Sequence, residues 1–374
     1  MIRNELSDIL SLAEEMQADE MPGVLATLVA SSGSTYRTLG SMMLGSPESE
    51  VTAGGVSGGC LEEYILRRGR ALTVQQPAAL LHFVDDPRSS RSDVPVLGCG
   101  SSIDVLVERF HPGHLEFLQK LTAAHDADQA SLAFCLIDTS IPSVINVRRF
   151  IHTVRDSTAD LDPQLAMLQQ TVIESQCSRH SSIGRNLQAL AQFVQPMKRL
   201  VILGAGNDVQ PLSTLGRSLG WHVCVADRRA RLLTRSRFPD ADQLVASDWR
   251  TALQAITFTP QTAVVVMTHS LADDAIILPL LVDRPAAYLG VLGPQRRRRW
   301  LLDNSHEVWP LSFVKRLRGP IGLNLGDPSA GGIAVSIVAE ILAELNSRTP
   351  TPLSESNSGK MGTLSSRVSL ADVY

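Results

Sequence analysis

The sequence predicts an α/β protein of two domains: an N-terminal mixed α/β domain and a C-terminal Rossmann-like domain with a mostly parallel sheet. Three observations carry this. The chain has 374 residues, too many for one ordinary core and enough for two. After Pro196, strand-length apolar runs alternate with helical periods, the order that builds a parallel sheet. Gly204-Ala205-Gly206 ends the first of these runs and opens a helix, and Asp227 ends the next run, as a dinucleotide fingerprint requires. The expected boundaries are 1–195 for the first domain, whose 112–195 part is a mixed extension, 196–348 for the second, and 349–374 for a flexible tail rich in Ser, Thr and Pro.

Each element follows from a local pattern. Leu6, Ile9, Leu10, Leu12, Ala13 and Met16 recur at helical spacing, and Pro22-Gly23 ends that helix. Val24–Ala30 is a β-rich run, and the Ser31-Ser32-Gly33-Ser34 turn leads from it to a partner strand at Met42-Met43-Leu44. Leu61–Leu72 reads as a helix with Arg67, Arg68 and Arg70 toward its C-terminal end, where the dipole favours cations. Leu80–Val84, Ile103–Phe110 and Leu132–Ile137 read as strands and Leu115–Leu121 as a helix, while 157–192 is polar and lacks a clear period. In the second half, Leu200–Leu203, Trp221–Ala226, Ala263–Met267 and Ala286–Leu292 are strands. Helices follow through Val209, Leu212, Leu215 and Leu219, over Ala275–Val282, after Pro294, and over 328–346, the last with Asp327 as N-cap and Pro328 at the first helical position.

Composition excludes several function classes. A hydrophobic fraction of 44% with a net charge of −4 describes a globular protein without the basic excess of a nucleic-acid binder, so no nucleic-acid partner is expected. The N-terminus has no apolar signal core, and no run reaches the roughly twenty apolar residues that span a bilayer, so no membrane association is expected and the location is cytoplasmic. The cysteines at 60, 99, 135, 177 and 224 are scattered and odd in number, which suits reduced thiols and matches no zinc spacing. Homodimerisation is the default expectation for assembly.

The chemistry concentrates in two glycine-flanked cysteines and in the Rossmann turn. Gly58-Gly59-Cys60 delivers a thiol to what reads as a helix start, where free amides and the helix dipole favour an anion, either the thiolate or a bound oxo or phosphate group. Gly98-Cys99-Gly100 repeats the theme, and both thiols are expected to face a common hollow, suited to carrying sulfur or ligating a soft metal such as molybdenum. The plain alternative is that each cysteine is a small hydrophobe filling a tight turn. Arg37 suits bidentate recognition of phosphate or carboxylate, against an ordinary exposed loop arginine. Gly204, Gly206 and Asp227 would seat a pyrophosphate and a ribose, although Val209 stands where the third fingerprint glycine belongs. His269, at the end of a strand, is a candidate for proton transfer, against a histidine that merely caps the strand. Arg296–Arg299 read as solvated helix faces.

In order along the chain, Gly33-Ser34-Thr35-Tyr36-Arg37, Gly58-Gly59-Cys60-Leu61-Glu62, Leu97-Gly98-Cys99-Gly100, Ile202-Leu203-Gly204-Ala205-Gly206, Val225-Ala226-Asp227, Val266-Met267-Thr268-His269 and Pro320-Ile321-Gly322-Leu323-Asn324-Leu325-Gly326 resemble the XdhC/CoxI family, accessory or maturation factors of molybdenum hydroxylases. The resemblance implies an XdhC/CoxI domain joined to a Rossmann-like domain. It also implies binding of molybdenum cofactor, as molybdopterin or a dinucleotide form, its protection during sulfuration by a cysteine desulfurase, and its transfer to an apo molybdenum hydroxylase. On it, Cys60 and Cys99 match the family's cysteine motifs. Ser101, Ser270 and Gly331-Gly332 depart from the family pattern, and Ser270 weakens an acid/base role at His269. The alternative function is an NAD(P)-dependent oxidoreductase in which the Rossmann domain binds NAD(P) or another nucleotide.

Overall fold

The computed structural model describes residues 3–33, 35–49, 51–84, 102–156, 161–305, 308–352 and 354–355. The chain divides into two compact units at Pro196/Met197.

The first unit opens with α1 (Arg3–Ala18), followed by β1 (Val24–Ser32), β2 (Met42–Gly45), β3 (Thr52–Gly54), α2 (Glu62–Gly69), β4 (Ala78–Val84) and β5 (Ser102–Arg109). These strands form one antiparallel sheet in the order β3-β2-β1-β5-β4. Its central strand reads as continuously apolar because both faces are covered. Leu25 packs with Leu6, Ile9 and Leu121, while Val24, Ala26 and Leu28 pack on the opposite side with Leu61 and Ile65 of the cysteine-loop helix.

The polar stretch without a readable period resolves into a second layer. After α3 (Pro112–Asp126) come β6 (Ser131–Ile141), β7 (Val144–Thr153), α4 (Pro163–Ser175), β8 (Arg179–Ser182) and β9 (Leu187–Val194). The four strands form an antiparallel sheet ordered β7-β6-β9-β8. One face receives Leu165, Leu168 and Val172 of α4; the other sets Cys135, Ile137 and Leu190 against Val29 and Leu106 of the first sheet.

A buried ion pair ties the two sheets. Arg149 of β7 donates from Nη1 to Glu108 Oε1 of β5 at 2.8 Å and from Nη2 to Thr27 Oγ1 of β1 at 3.1 Å, and His114 Nε2 lies 3.3 Å from Glu108 Oε1. Burial alone would raise the Glu108 carboxyl, but Arg149 and His114 outweigh it and hold it down to about 2.

The second unit contains β10 (Arg199–Leu203), α5 (Val209–Ser218), β11 (His222–Asp227), a short 3₁₀ turn (Ala230–Leu232), β12 (Gln243–Ala246), α6 (Trp249–Ala255), β13 (Thr262–Val266), α7 (Leu271–Leu280), β14 (Tyr288–Val291), α8 (Gln295–Asp303), α9 (Leu311–Arg316), β15 (Leu317–Arg318) and α10 (Ala330–Leu345). Its sheet is parallel throughout, ordered β12-β11-β10-β13-β14-β15. Alternate residues serve opposite faces: Leu200 and Ile202 pack under α5 and α10, Val201 and Leu203 under α6 and α7. The strand order reverses between β10 and β13, which places a switch-point crevice there.

Two details correct the sequence reading. The last helix is capped by Ser329, whose Oγ accepts from Gly332 N at 3.0 Å, while Asp327 turns its carboxylate to Ser329 N at 2.8 Å. Asp327 is thus too early in the turn to reach the helix amides. The arginines of α8 are not all solvated: Arg297 pairs with buried Asp274, and Arg298 donates to the carbonyls of Val314 and Leu317.

The Glu108–Arg149 pair makes a stability prediction. Arg149→Met strands a buried carboxylate and is expected to cost about 3–5 kcal/mol in the urea unfolding of the first unit. The folded Glu108 carboxyl lies below its ordinary 4.5, near 2, so its contribution is complete above pH 4.5 and disappears as pH falls toward 2. The wild-type advantage over Glu108→Gln should therefore shrink across that window.

Candidate functional site

The cysteine loop lies between β3 and α2 and is organised by a carboxylate of the chain itself. The helix begins at Glu62, with Leu61 as N-cap and no side-chain cap from it. Glu62 folds back instead: Oε1 accepts from Ser57 N at 2.8 Å and Val56 N at 3.2 Å, and Oε2 accepts from Leu61 N at 3.1 Å and from the Ser57 hydroxyl. Ser57 Oγ accepts in turn from Gly59 N and Leu61 N, both at 3.2 Å. Burial pushes the Glu62 carboxyl up, but the Ser57 hydroxyl and the amides of Ser57, Glu62 and Leu61 prevail and leave it below its ordinary value. Glu62 thus takes the loop amides of Val56, Ser57 and Leu61, which are not left for an outside anion.

Cys60 sits one residue before the N-cap, outside the helix, with its side chain in solvent. Space is available beside it. A Cβ built on Gly59 would meet nothing within 4 Å, and one on Gly58 would meet only the ring of Tyr36, at 3.7 Å. Tyr36 is 62% exposed, so an aromatic face, two bare glycine residues and a thiol share one open surface. Arg37 braces this surface from behind: it pairs with Glu5 of α1, donates from Nε to Ser57 O at 3.5 Å, and lies against Gly55.

The other cysteines differ. Cys135 and Cys224 are buried, and burial pushes their thiols up to about 11 and about 12, the signature of inert core residues. Cys177 is half-buried. Gly98, Cys99 and Gly100 lie outside the described residues. Among the described residues no three His, Cys, Asp or Glu side chains gather as a metal site.

The second unit holds the Rossmann turn and its crevice. Gly204 has φ +124, and a Cβ on it would lie 2.3 Å from Met267 O, so the close approach of the turn to the end of β13 admits only glycine. At Gly206 a Cβ would strike Asp208 Oδ1 at 2.4 Å, so this glycine lets Asp208 fold back over the turn. Asp208 Oδ2 lies 2.8 Å from His269 Nε2. His269 occupies the left-handed region at φ 59, rare for a residue with a side chain, while Ser270 caps α7 by accepting from Asp273 N. Ser270 rather than His269 caps α7, and the His269 ring reaches across the switch point to Asp208. Asn207, Asp208, His269, Pro294, Arg297 and Ile333 line a crevice of about 700 Å³ at the C-terminal ends of β10, β13 and β14.

Asp227 is in place at the end of β11 but fully engaged. Oδ2 accepts from Ala205 N and Arg229 Nη2, each at 2.8 Å, and Oδ1 accepts from Arg229 N at 2.8 Å and Nε at 3.0 Å. Burial opposes its ionisation, yet the Arg229 contacts and the Ala205 amide hold its carboxyl below the ordinary value.

Sequence reasoning gave Tyr36, Glu62 and Arg229 no role of their own, and it missed Glu5 and Asp208. A carboxylate in the first helical turn after a Gly/Ser loop was the available signal for Glu62, and an acid immediately before a helix was the signal for Asp208. Nothing local marks Glu5, which meets its partner 32 residues away.

Comparison with known proteins adds a family. Residues 200–341 match the XdhC Rossmann domain, and residues 16–84 match the XdhC and CoxI family. A probable xanthine dehydrogenase subunit of Bacillus subtilis (strain 168) is 30% identical over 332 residues, covering 89% of this chain and 96% of that protein. The molybdenum cofactor insertion chaperone PaoD of Escherichia coli (strain K12) is 23% identical over 334 residues, covering 89% of this chain and 86% of the relative. A crystal structure of a xanthine dehydrogenase from Bacillus halodurans superposes with a TM-score of 0.71 at 25% identity, covering 91% of this chain and 97% of that one. Among the described residues, no helix is long and apolar enough to cross a membrane.

The Glu62 network predicts that Glu62→Ala loosens the loop without unfolding the unit. Hydrogen exchange of the amides of residues 56–61 should accelerate by roughly 10- to 100-fold, the consequence of removing a charged acceptor worth about 1.5–3 kcal/mol. Unchanged exchange would mean that the loop is held by something other than this carboxylate.

Proposed function

The chain belongs to the XdhC and CoxI family, and on that footing we propose that it is an accessory maturation factor that carries molybdenum cofactor to a xanthine dehydrogenase-type molybdenum hydroxylase. The apo hydroxylase is its principal partner. A cysteine desulfurase is the second, supplying sulfur while the factor shields its cargo. The chain works in the cytoplasm, as a homodimer or alone, and performs no turnover of its own.

One observation supports this reading above the others: Cys60 is a solvent-facing thiol on a braced glycine bend, with an aromatic ring and open space beside it. A soft sulfur ligand in an uncrowded position is what temporary custody of a thiophilic metal requires, because the cargo must enter and leave. The Glu62 clamp keeps the bend in one shape without using the thiol. Arg37 contributes by bracing and not as a free anion receptor, since Glu5 and the Ser57 carbonyl already hold it. The pterin portion of the cargo has the Tyr36 face available to it.

The rival reading, an NAD(P)-dependent oxidoreductase, draws on the switch-point crevice and the His269–Asp208 contact. It needs Asp227 as a ribose anchor, and that carboxylate is already committed to Ala205 and Arg229.

Mass spectrometry of pterin released from protein produced in cells that make the cofactor tests the proposal and distinguishes the simple from the dinucleotide form. Wild-type chain is expected to carry pterin and molybdenum. Cys60→Ser, at an exposed position that should leave folding intact, is expected to lose most of the retained molybdenum. Wild-type protein that arrives empty and cannot retain added cofactor would overturn the reading, and steady NAD(P)H oxidation would favour the oxidoreductase.

A further inference from the structure

In a Rossmann unit the ribose of a dinucleotide lies where the second strand ends, and an acidic side chain there accepts its 2′- and 3′-hydroxyls. Asp227 holds that position, but its four hydrogen bonds come from Ala205 N and from the amide, Nε and Nη2 of Arg229. Those four donors fill the roughly four lone-pair sites of a carboxylate. A ribose diol arriving at the end of β11 meets no free acceptor.

It meets donors instead. Arg229 lays Nε and Nη2 on Asp227, and its Nη1 has no partner among the described residues; the side chain is 44% exposed. Arg228 uses Nε on Asp273 at 3.0 Å and is 58% exposed, with both terminal nitrogens unpartnered among the described residues. Arg229 also lies within the field of Asp273, so the two guanidinium groups share one corner of the strand edge. Across the turn, Arg237 donates from Nη1 to Ala205 O at 3.0 Å and from Nη2 to Asn207 Oδ1 at 2.9 Å. Arg229, through Asp227, and Arg237 thus flank the turn, and Arg228 is held beside them on Asp273. Asp208 is paired with His269, and Asp274 with Arg297.

We propose that the C-terminal unit binds a nucleotide whose ribose carries a phosphate of its own, and that Arg228 and Arg229 hold this phosphate at the end of β11. Guanidinium groups match phosphate geometry with paired donors, and an arginine beside the ribose is how such folds accommodate a 2′-phosphate. An unmodified ribose is disfavoured for a second reason. To accept its hydroxyls, Asp227 would have to release Arg229 and remain buried without a counter-ion. The crevice between Asn207 and Ile333, on the other side of the glycine turn, receives the rest of the ligand. This ligand is separate from the cargo of the cysteine loop, and no part of the inference depends on that cargo.

Calorimetric titration of the full chain with adenosine 2′,5′-bisphosphate, adenosine 3′,5′-bisphosphate and AMP tests the proposal, with NADPH against NADH as a second pair. At least one bisphosphate should bind roughly 10- to 100-fold more tightly than AMP, the worth of one or two charge-assisted hydrogen bonds, and the two isomers reveal which hydroxyl bears the phosphate. Arg228→Ala should weaken bisphosphate binding and leave AMP unchanged. Arg229→Ala should abolish the preference and strengthen AMP and NADH, because it frees the lone pairs of Asp227; a pair serving only to hold the fold would not shift selectivity this way. Equal binding of AMP and both bisphosphates by the wild type, or no binding of any bisphosphate at millimolar concentration, overturns it. Because pterin retention at Cys60 is read separately, a negative result here leaves the maturation reading standing, and an empty cysteine loop leaves this one standing.

Discussion

The cysteine loop depends on the carboxylate of Glu62. Three backbone amides and one hydroxyl converge on it, and the turn from β3 into α2 has no other ionised group to gather them. The first helical residue gathers the amides of the loop ahead of it, Val56, Ser57 and Leu61. The consequence is a loop with a defined shape and an electrostatically quiet interior. Its exposed part, Gly58 to Cys60, is shaped without being used up. Arg37 extends the same logic, linking the Ser57 carbonyl to Glu5 so that the loop is fixed to α1 as well as to α2.

The second unit handles charge in the same way. Asp274 is almost fully buried and is held by Thr268 and Arg297, although burial still leaves its carboxyl above the ordinary value. Asp273 is shared by Trp249 and Arg228, and Asp227 by Ala205 and Arg229. Each acid lies at the C-terminal edge of the sheet, where a Rossmann fold offers its binding surface. Pairing each with an arginine converts an edge that would repel phosphates into one that presents guanidinium groups. The Rossmann fold is retained with the carboxylate at its ribose end already hydrogen-bonded to Ala205 and Arg229, which illustrates why fold alone does not assign function.

Glycine has different work in the two sites. At Gly204 it permits a backbone contact that any side chain would break, and the requirement belongs to packing. At Gly59 nothing lies near the missing side chain, so no packing demand explains the residue there. Space left open beside the exposed Cys60 thiol is a feature of access.

Local patterns in the chain were enough for the family and for the parallel sheet of the second unit. Continuous apolar runs such as Leu200–Leu203 and the glycine turn that follows are complete within a few residues. Strands β8 and β9 escaped because their residues face a helix on one side and another sheet on the other, and a mixed polar sequence shows no period until both neighbours are known. Which charges are free was settled by contacts between distant parts of the chain. Glu5 meets Arg37 across 32 residues and Arg149 meets Glu108 across 41, and Asp227 is saturated by a residue two positions on whose side chain could equally have pointed outward. Hydrogen-bond capacity is consumed by neighbours in space, so a list of residue types can nominate a site but cannot say whether its donors and acceptors are still available.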